Sequence, residues 1–183
     1  MQENKFTYTK IIEAGIWKSF IEDLDTEYWI KSLYNYQTQF PKGEFKSNFG
    51  GYQSKNNLHN FKTFYPLVNQ LNNFIISFFE NPNTKLISMW GNISPPNSYN
   101  LPHTHFHDIT TYNNTDISGV LYLKVPKDSG NIMFYNPLYI SNQHSIETQP
   151  KDIILFHQHL PHSVNPNFSQ EDRISIAFNF DKI

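Results

Sequence analysis

Histidines are concentrated at two places in this chain, and their spacing is that of metal ligands. His103, His105 and His107 occupy alternate positions of one short stretch. Residues i and i+2 of a β-strand point to the same side, so one pair of these imidazoles can converge on an ion. The second cluster, residues 156–164, offers His162 as a remote third ligand. Three facial ligands leave positions open for substrate and dioxygen, which favours a non-haem iron site.

The spacing alone leaves the ligand set open. His103 with His105, or His105 with His107, satisfies the two-residue period, and Asp108 or Asp116 could instead supply a carboxylate. Histidines also occur in surface loops by chance. Six of the eight histidines lie in the two short clusters, however, so chance is the weaker explanation and metal binding the stronger one.

Arg173 begins an apolar run with the two-residue period of a strand. Alternate side chains share a face, so one face carries Arg173, Ser175, Ala177 and Asn179. A guanidinium with a hydroxyl two residues further along can bind a carboxylate through bidentate and accessory hydrogen bonds. Arg173 and Ser175 are therefore candidates for binding an acidic co-substrate. The alternative is a surface ion pair of Arg173 with Asp172 or Glu171.

Length and composition limit the classes of protein to consider. The 183 residues suit one domain, and an aromatic content of 16% suits a β-rich core. The net charge of −2 without a basic block gives no reason to expect nucleic acid, and no apolar run approaches the length of a membrane span. Cysteine is absent, which excludes disulfides, thiolate nucleophiles and Fe–S clusters. The first ten residues lack a signal-peptide pattern, so we expect a cytoplasmic protein.

Two segments predict helices before residue 85. The region Ile11–Tyr36 has helical character in places, and Asp25 is a capping residue in front of apolar groups at helical intervals. The segment Phe61–Glu80 predicts a second helix, with Pro66 in its first turn. Its apolar stripe consists of Leu67, Leu71, Phe74, Ile75, Phe78 and Phe79.

From Lys85 onward the two-residue period predicts short strands. The predicted strands are Leu86–Ile93, Ser118–Lys124, Asn131–Phe134, Asp152–Phe156 and Arg173–Phe180. Helices followed by short antiparallel strands fit a mainly β, cupin-like jelly roll, or double-stranded β-helix. We expect a single domain over residues 1–183, helical to about residue 84 and jelly roll over about residues 85–183.

Five strings of residues in order resemble a known family. They are SNFGGYQS, LPHTH, SGVLYLKVP, FHQHLPHSV and RISIAFN, and they extend from about Ser47 to Asn179. Together they are similar to the small iron(II)/2-oxoglutarate-dependent oxygenases of bacteria and phages, the 2OG-Fe(II) oxygenase family. The resemblance implies a double-stranded β-helix, iron held by His103, His105 and His162, and Arg173 as the anchor of the distal carboxylate of 2-oxoglutarate.

The chain departs from that family in two respects. The wider superfamily has a carboxylate at the second ligand position, where this chain has His105. Three neutral histidines leave iron(II) its full charge, which dianionic 2-oxoglutarate would neutralise. The segment from Phe106 to Asp116 is longer than usual for the family, and its polar composition suggests a lid over the substrate.

The resemblance implies an enzyme that couples oxidative decarboxylation of 2-oxoglutarate, giving succinate and carbon dioxide, to hydroxylation of a substrate by dioxygen. A peptidyl substrate, and a prolyl one first, is expected by analogy. Ser175 would assist Arg173, and Tyr122, Tyr99 and Asn92 are further candidates for contact with the co-substrate, although each could simply be packed or paired in the core.

Two other classes stay open. A three-histidine cupin dioxygenase would not use 2-oxoglutarate, and a β-sandwich binding module would hold zinc or use its histidines structurally.

Overall fold

The computed structural model describes residues 14–105 and 117–181. Two α-helices, α1 (Thr26–Gln39) and α2 (Tyr65–Phe79), and eleven strands lie in this part of the chain. The strands are β1 (Ile16–Phe20), β2 (Asn48–Phe49), β3 (Tyr52–Gln53), β4 (Lys85–Ser94), β5 (Tyr99–His103), β6 (Ile117–Lys124), β7 (Ile132–Asn136), β8 (Tyr139–Ile146), β9 (Asp152–His157), β10 (His162–Val164) and β11 (Arg173–Asp181).

The strands form two antiparallel sheets. The larger sheet has the order β1-β9-β6-β11-β4-β3, and the smaller one has the order β2-β5-β10-β7-β8. Strands far apart in sequence are neighbours in both sheets; for example, β11 lies between β4 and β6. This arrangement confirms the predicted double-stranded β-helix.

The five predicted strands are present, with ends shifted by two residues at most. Four of the six described strands that were not predicted have weak alternation. β2 and β3 have two residues each, β1 is a partly exposed edge strand, and β8 is polar and largely exposed along its length. Period-2 patterning requires one buried face, and these strands lack a clear one.

α1 begins where the sequence indicates, whereas α2 begins at Tyr65, four residues after the predicted Phe61. The Asp25 side chain accepts a hydrogen bond of 3.0 Å from the Tyr28 amide and so caps α1. Pro66 lies in the first turn of α2. The chain was predicted to be helical before about residue 84, but this part also contains a strand. Ile16–Phe20 pairs with β9 over its whole length. The prediction of helical character is therefore wrong for Ile16–Phe20.

The two faces of β11 meet different surroundings. Ile174, Ile176 and Phe178 pack into the main apolar core, together with Trp29 and Leu33 of α1. The same core contains Leu67, Leu71 and Ile75, which are the fully buried part of the predicted stripe of α2. The helices thus cover one face of the larger sheet, and the other face is left for the space between the sheets. Neither described helix is long and apolar enough to cross a membrane.

Gly91 of β4 lies directly against the Leu33 side chain of α1. A Cβ atom built on Gly91 would lie against Leu33 Cδ1 and 2.8 Å from Leu33 Cδ2. Leu33 is fully buried, so it has little room to move. We expect Gly91→Ala to lower the free energy of unfolding by about 1–3 kcal/mol, as overpacked cores do. The midpoint of urea denaturation measures this change.

A double-mutant cycle separates overpacking from a backbone effect. Leu33→Ala alone removes core volume and is expected to cost about 2–5 kcal/mol. If steric contact is the cause, Gly91→Ala in the Leu33→Ala background costs clearly less than it does in the wild type. Strict additivity of the two changes would contradict the close contact.

Candidate metal centre and co-substrate cavity

A cavity of about 420 Å³ lies between the two sheets. Its floor is built from alternate residues of three neighbouring strands, β4, β11 and β6. They are Ser88, Trp90, Asn92 and Ser94, then Arg173, Ser175, Ala177 and Asn179, then Val120 and Tyr122. The volume is within the range of small-molecule sites, and the polar face of β11 predicted from the sequence runs along its whole length.

An irregularity in β5 turns His103 into this cavity. His103 pairs with His162 of β10, but Asn100 pairs with Val164, so three residue steps on β5 match two on β10. Such a bulge changes the direction of the side chains that follow it. Asn100 and His103 consequently both line the cavity, although strict alternation would place them on opposite faces.

The ligand atoms of His103, His105 and His162 lie within 4.8 Å of one another. β5 ends at His103, so His105 follows the strand and does not share a strand face with His103. The backbone amide of His105 instead donates to the Gln158 carbonyl at 3.1 Å. The predicted set of three histidines is therefore brought together, but the two-residue period is the wrong reason for it.

Hydrogen bonds at Nδ1 orient two of the rings by local contacts. His103 Nδ1 lies 2.8 Å from the Leu101 carbonyl oxygen, and His162 Nδ1 lies 3.0 Å from the Leu160 carbonyl oxygen. A carbonyl can only accept, so each Nδ1 carries the proton and each Nε2 has its lone pair available for a metal. In both cases the acceptor is two residues earlier in the chain.

His105 is held by side chains from distant strands. Its Nδ1 lies 2.7 Å from Ser118 Oγ of β6 and 2.9 Å from Asn179 Oδ1 of β11. Ser118 Oγ donates to Asn179 Oδ1 at 2.6 Å, and Asn179 Nδ2 donates to Ser88 Oγ of β4 at 2.8 Å. Because Asn179 Oδ1 can only accept, this network places the proton of His105 on Nδ1 as well.

Burial favours the neutral, metal-binding form of the histidines. Loss of solvent lowers the pKa of His103, partly offset by its hydrogen bond to the Leu101 carbonyl. Burial, followed by the neighbouring His105 and His103, holds the pKa of His162 well below its usual range. Burial thus favours the neutral form of His103 and His162, which is the form that binds a metal.

Arg173 is a buried cation at the other end of the β11 face. It is 4% exposed, and burial lowers its pKa, which Tyr122 opposes. Its Nη1 donates to the carbonyl oxygens of Ser129 and Gly130 at 2.7 and 3.2 Å. In residues 14–105 and 117–181 it has no anionic partner, and its Nε and Nη2 donors are unpaired.

The alternative of a surface ion pair is wrong for Arg173. Glu171 pairs with Lys124 at 2.8 Å, and Asp172 accepts a hydrogen bond of 2.6 Å from the Tyr34 hydroxyl. Both neighbouring carboxylates are therefore engaged elsewhere, and the guanidinium reaches the cavity lining without them.

Three other predicted residues lie in one row across the sheet. Ser175 pairs with Asn92 of β4 on one side and with Tyr122 of β6 on the other, and all three line the cavity. Burial raises the pKa of Tyr122 to about 12, so its hydroxyl is protonated and can donate to a ligand. The row extends by one more strand, because Asn92 also pairs with Gln53 of β3.

Tyr99 does not belong to the cavity. Its ring stacks on Phe49 with centroids 4.9 Å apart, because it lies on the face of β5 opposite to Asn100. This corrects its selection as a co-substrate contact. His107, Asp108 and Asp116 lie outside the described residues, as does the predicted lid.

The structure also adds residues that the sequence did not single out. Ser47 Oγ lies 3.3 Å from His103 Nε2 and accepts from Asn100 Nδ2 at 3.2 Å, which places it beside the metal-binding atom. Ser118 and Asn179 orient His105. Asn179 lies on the polar face of β11 that the sequence predicted, so this face could have indicated it. Nothing in the spacing indicated Ser47.

Comparison with known proteins identifies the matched segment and the fold. Residues 137–179 match the family described as "Putative 2OG-Fe(II) oxygenase". No curated protein matches the chain in sequence. Among solved structures, a prolyl-4-hydroxylase of Pseudomonas putida is similar with a TM-score of 0.66 and 15% identity, over 92% of this chain and 93% of that chain.

Two further structures have the same fold. The carbocyclase SnoK from nogalamycin biosynthesis has a TM-score of 0.72 at 11% identity, over 92% of this chain and 79% of that chain. HygX of Streptomyces hygroscopicus, solved with nickel, 2-oxoglutarate and hygromycin B bound, has a TM-score of 0.64 at 11% identity, over 91% of this chain and 82% of that chain.

The fold and the site together define a double-stranded β-helix protein with a three-histidine metal centre in a cavity between its sheets. The matched segment carries His162 and Arg173 of that cavity. In this segment, in its fold and in its three converging histidines, the chain is similar to the 2OG-Fe(II) oxygenases.

The hydrogen-bond network of His105 leads to a test of metal binding. Asn179→Leu removes one of the two side-chain partners of His105 Nδ1, so the ring is held less firmly. We expect the affinity for Co(II), measured by its visible absorption, to fall about 10–100-fold, as is usual when such partners of metal-binding histidines are removed. Asn179→Asp keeps an acceptor and is expected to bind Co(II) at least as tightly as the wild type.

The thermal unfolding midpoint of both variants serves as the control for folding. Equal Co(II) affinity and an unchanged Co(II) spectrum in a folded Asn179→Leu variant would contradict the role of Asn179.

Proposed function

We propose that the protein is an iron(II)- and 2-oxoglutarate-dependent hydroxylase of peptides. His103, His105 and His162 hold the iron, and Arg173 binds the distal carboxylate of 2-oxoglutarate with Ser175 assisting. The observation that carries these assignments is a buried guanidinium without a described anionic partner, in the same cavity as three converging imidazoles.

The residues present fit both bound groups. Three Nε2 atoms with fixed lone pairs suit a divalent metal, and three neutral ligands leave its double charge to be balanced by a dianion. A buried, unpaired cation costs free energy, so an incoming carboxylate at Arg173 removes that cost. When bound, iron(II) and 2-oxoglutarate together activate dioxygen: one oxygen atom enters the substrate C–H bond, the other enters succinate, and carbon dioxide leaves.

The protein's own contribution is to bind, orient and exclude water. Arg173 Nε and Nη2 are free to form a bidentate pair with a carboxylate, and the Ser175 and Tyr122 hydroxyls lie across the neighbouring strands. Ile132 and Val164 give this half of the cavity apolar walls, which strengthen charge pairing by keeping water out. The co-substrate would thereby be held in one orientation, with its keto acid end toward the histidines.

A peptide substrate is supported by two observations. The prolyl-4-hydroxylase of Pseudomonas putida is similar over 92% of this chain and 93% of that chain. Trp90 lines the cavity with its ring centroid 5.1 Å from that of His105, so it offers a flat apolar surface beside the metal ligands. A pyrrolidine ring or another apolar side chain can pack on such a surface.

The visible spectrum of the anaerobic protein tests the iron and co-substrate assignments. Addition of iron(II) and then 2-oxoglutarate is expected to give a metal-to-ligand charge-transfer band that requires both. His162→Ala should lose the band with the metal. Arg173→Ala should weaken 2-oxoglutarate binding about 30-fold or more, because removing one partner of a buried charge pair costs about 2–5 kcal/mol.

Two matched variants make this test specific. Lys124→Ala removes an equal charge from the neighbouring strand, where Lys124 pairs with Glu171 outside the cavity, and should leave the titration unchanged. Arg173→Lys keeps the charge without the bidentate geometry and should fall between wild type and Arg173→Ala. Iron binding without a band would instead favour a three-histidine dioxygenase that does not use 2-oxoglutarate.

A further inference from the structure

One side of the cavity carries neutral amide side chains that the iron and co-substrate assignments leave unused. Gln53 of β3, Asn92 of β4 and Asn56, which follows β3, all line this side. We call these three residues the amide subsite. The segment 44–47 closes the same side, since the Glu44 amide donates to the Gln53 carbonyl at 2.8 Å and Ser47 lies beside His103.

The amide subsite is separated from the co-substrate half by the geometry of the sheet. Tyr122, Ser175, Asn92 and Gln53 follow one another in a row across β6, β11, β4 and β3. Neighbouring strands are about 4.8 Å apart, so the backbone of Gln53 lies roughly 10 Å from that of Ser175. Arg173 points the other way, toward the Ser129 and Gly130 carbonyls. A molecule bound by Arg173 and the histidines therefore leaves the Gln53 side open.

The Gln53 carboxamide has no hydrogen-bond partner among the described residues, 14–105 and 117–181, and the residue is 7% exposed. The Gln53 side chain lines the cavity, so its donors and acceptor are available to a ligand bound there. The neighbouring Asn92 carboxamide also has no partner in the described residues. Two carboxamides without described partners, side by side in a cavity, offer donors and acceptors to a ligand that forms hydrogen bonds.

The chemistry of the subsite favours a neutral ligand with both donors and acceptors. Glu44 and Lys46 are the charged residues of this side, and their opposite charges give no net attraction for an ion. A carboxamide both donates and accepts. In an extended chain, the N–H and C=O groups of one residue point to the same side, so one carboxamide can bind both.

We propose that Gln53, with Asn92 beside it, binds the backbone of an extended peptide substrate and thereby places one residue against Trp90 and the metal centre. The inference rests on the proposed function and adds to it the residue that recognises the substrate. Recognition is through backbone amides, so it tolerates different side chains, and Trp90 favours an apolar one at the reacting position.

Capped peptides with a matched backbone change test the proposal. The probes are N-acetylated, C-amidated tripeptides of the form Xaa-Pro-Gly and Xaa-Ala-Gly, and the same peptides with the amide before glycine replaced by an ester, which removes one N–H donor. The readout is the mass gain of one oxygen atom together with succinate. Wild type is expected to oxidise the amide peptides and to lose at least about tenfold in kcat/KM with the esters.

Variants at Gln53 give the second half of the test. Gln53→Leu keeps the approximate size without hydrogen bonding and should lower kcat/KM for the amide peptides at least about tenfold. It should also remove most of the difference between amide and ester. Gln53→Glu, which keeps an acceptor, should be intermediate. The 2-oxoglutarate titration serves as the control for folding and should change less than twofold. Gln143→Leu, the same substitution on exposed β8, should behave as wild type.

Each other outcome has a distinct meaning. If Gln53→Leu weakens 2-oxoglutarate as much as it weakens the peptide, Gln53 belongs to the co-substrate half and the proposal fails. If iron and 2-oxoglutarate bind normally but no capped peptide is oxidised, or if Gln53→Leu oxidises them as wild type does, the peptide-binding role is overturned. Absence of the charge-transfer band in wild type would instead overturn the proposed function itself.

Discussion

The strand β11 has to satisfy two opposite environments at once, and the rest of the structure depends on this. Its Ile174, Ile176 and Phe178 side chains anchor the sheet to the helices, while its polar side chains form the floor of the cavity. The strand is hydrogen-bonded on both edges, by β4 and β6, so its register cannot slip. A shift by one residue would exchange the two faces and bury the guanidinium of Arg173 in the apolar core.

The cavity brings polar groups together where little water is present. Some of these groups have hydrogen-bond partners and others do not, and this difference gives the cavity its function. The histidines are fixed at Nδ1, two of them by nearby carbonyls and His105 by side chains of three strands. The Arg173 and Gln53 side chains, by contrast, keep donors without partners among the described residues. The groups that are satisfied determine orientation, and the groups that are unsatisfied are those that a ligand completes.

Much of the scaffold followed from local pattern. Asp25 marked the start of α1 and Pro66 the first turn of α2, and the five predicted strands were found from their runs of apolar residues, although β9 and β11 are buried along almost their whole length. Ile16–Phe20 was not recognised as a strand, since an edge strand with partial exposure carries little periodicity. The site residues were selected by residue type; Tyr99 was wrong, because local spacing could not say which face of β5 looks into the cavity.

The sequence by itself determined the chemistry that was available: imidazoles in two clusters, an arginine followed by a polar face on one strand, and no cysteine. Only the tertiary structure decided how these groups meet. The bulge in β5 turns His103 inward, the Gln158 carbonyl positions His105 beyond the end of the strand, and the pairing of β3 with β4 brings Gln53 to the cavity. The physical reason is that these arrangements depend on contacts between segments far apart in the chain, and local periodicity carries no information about them.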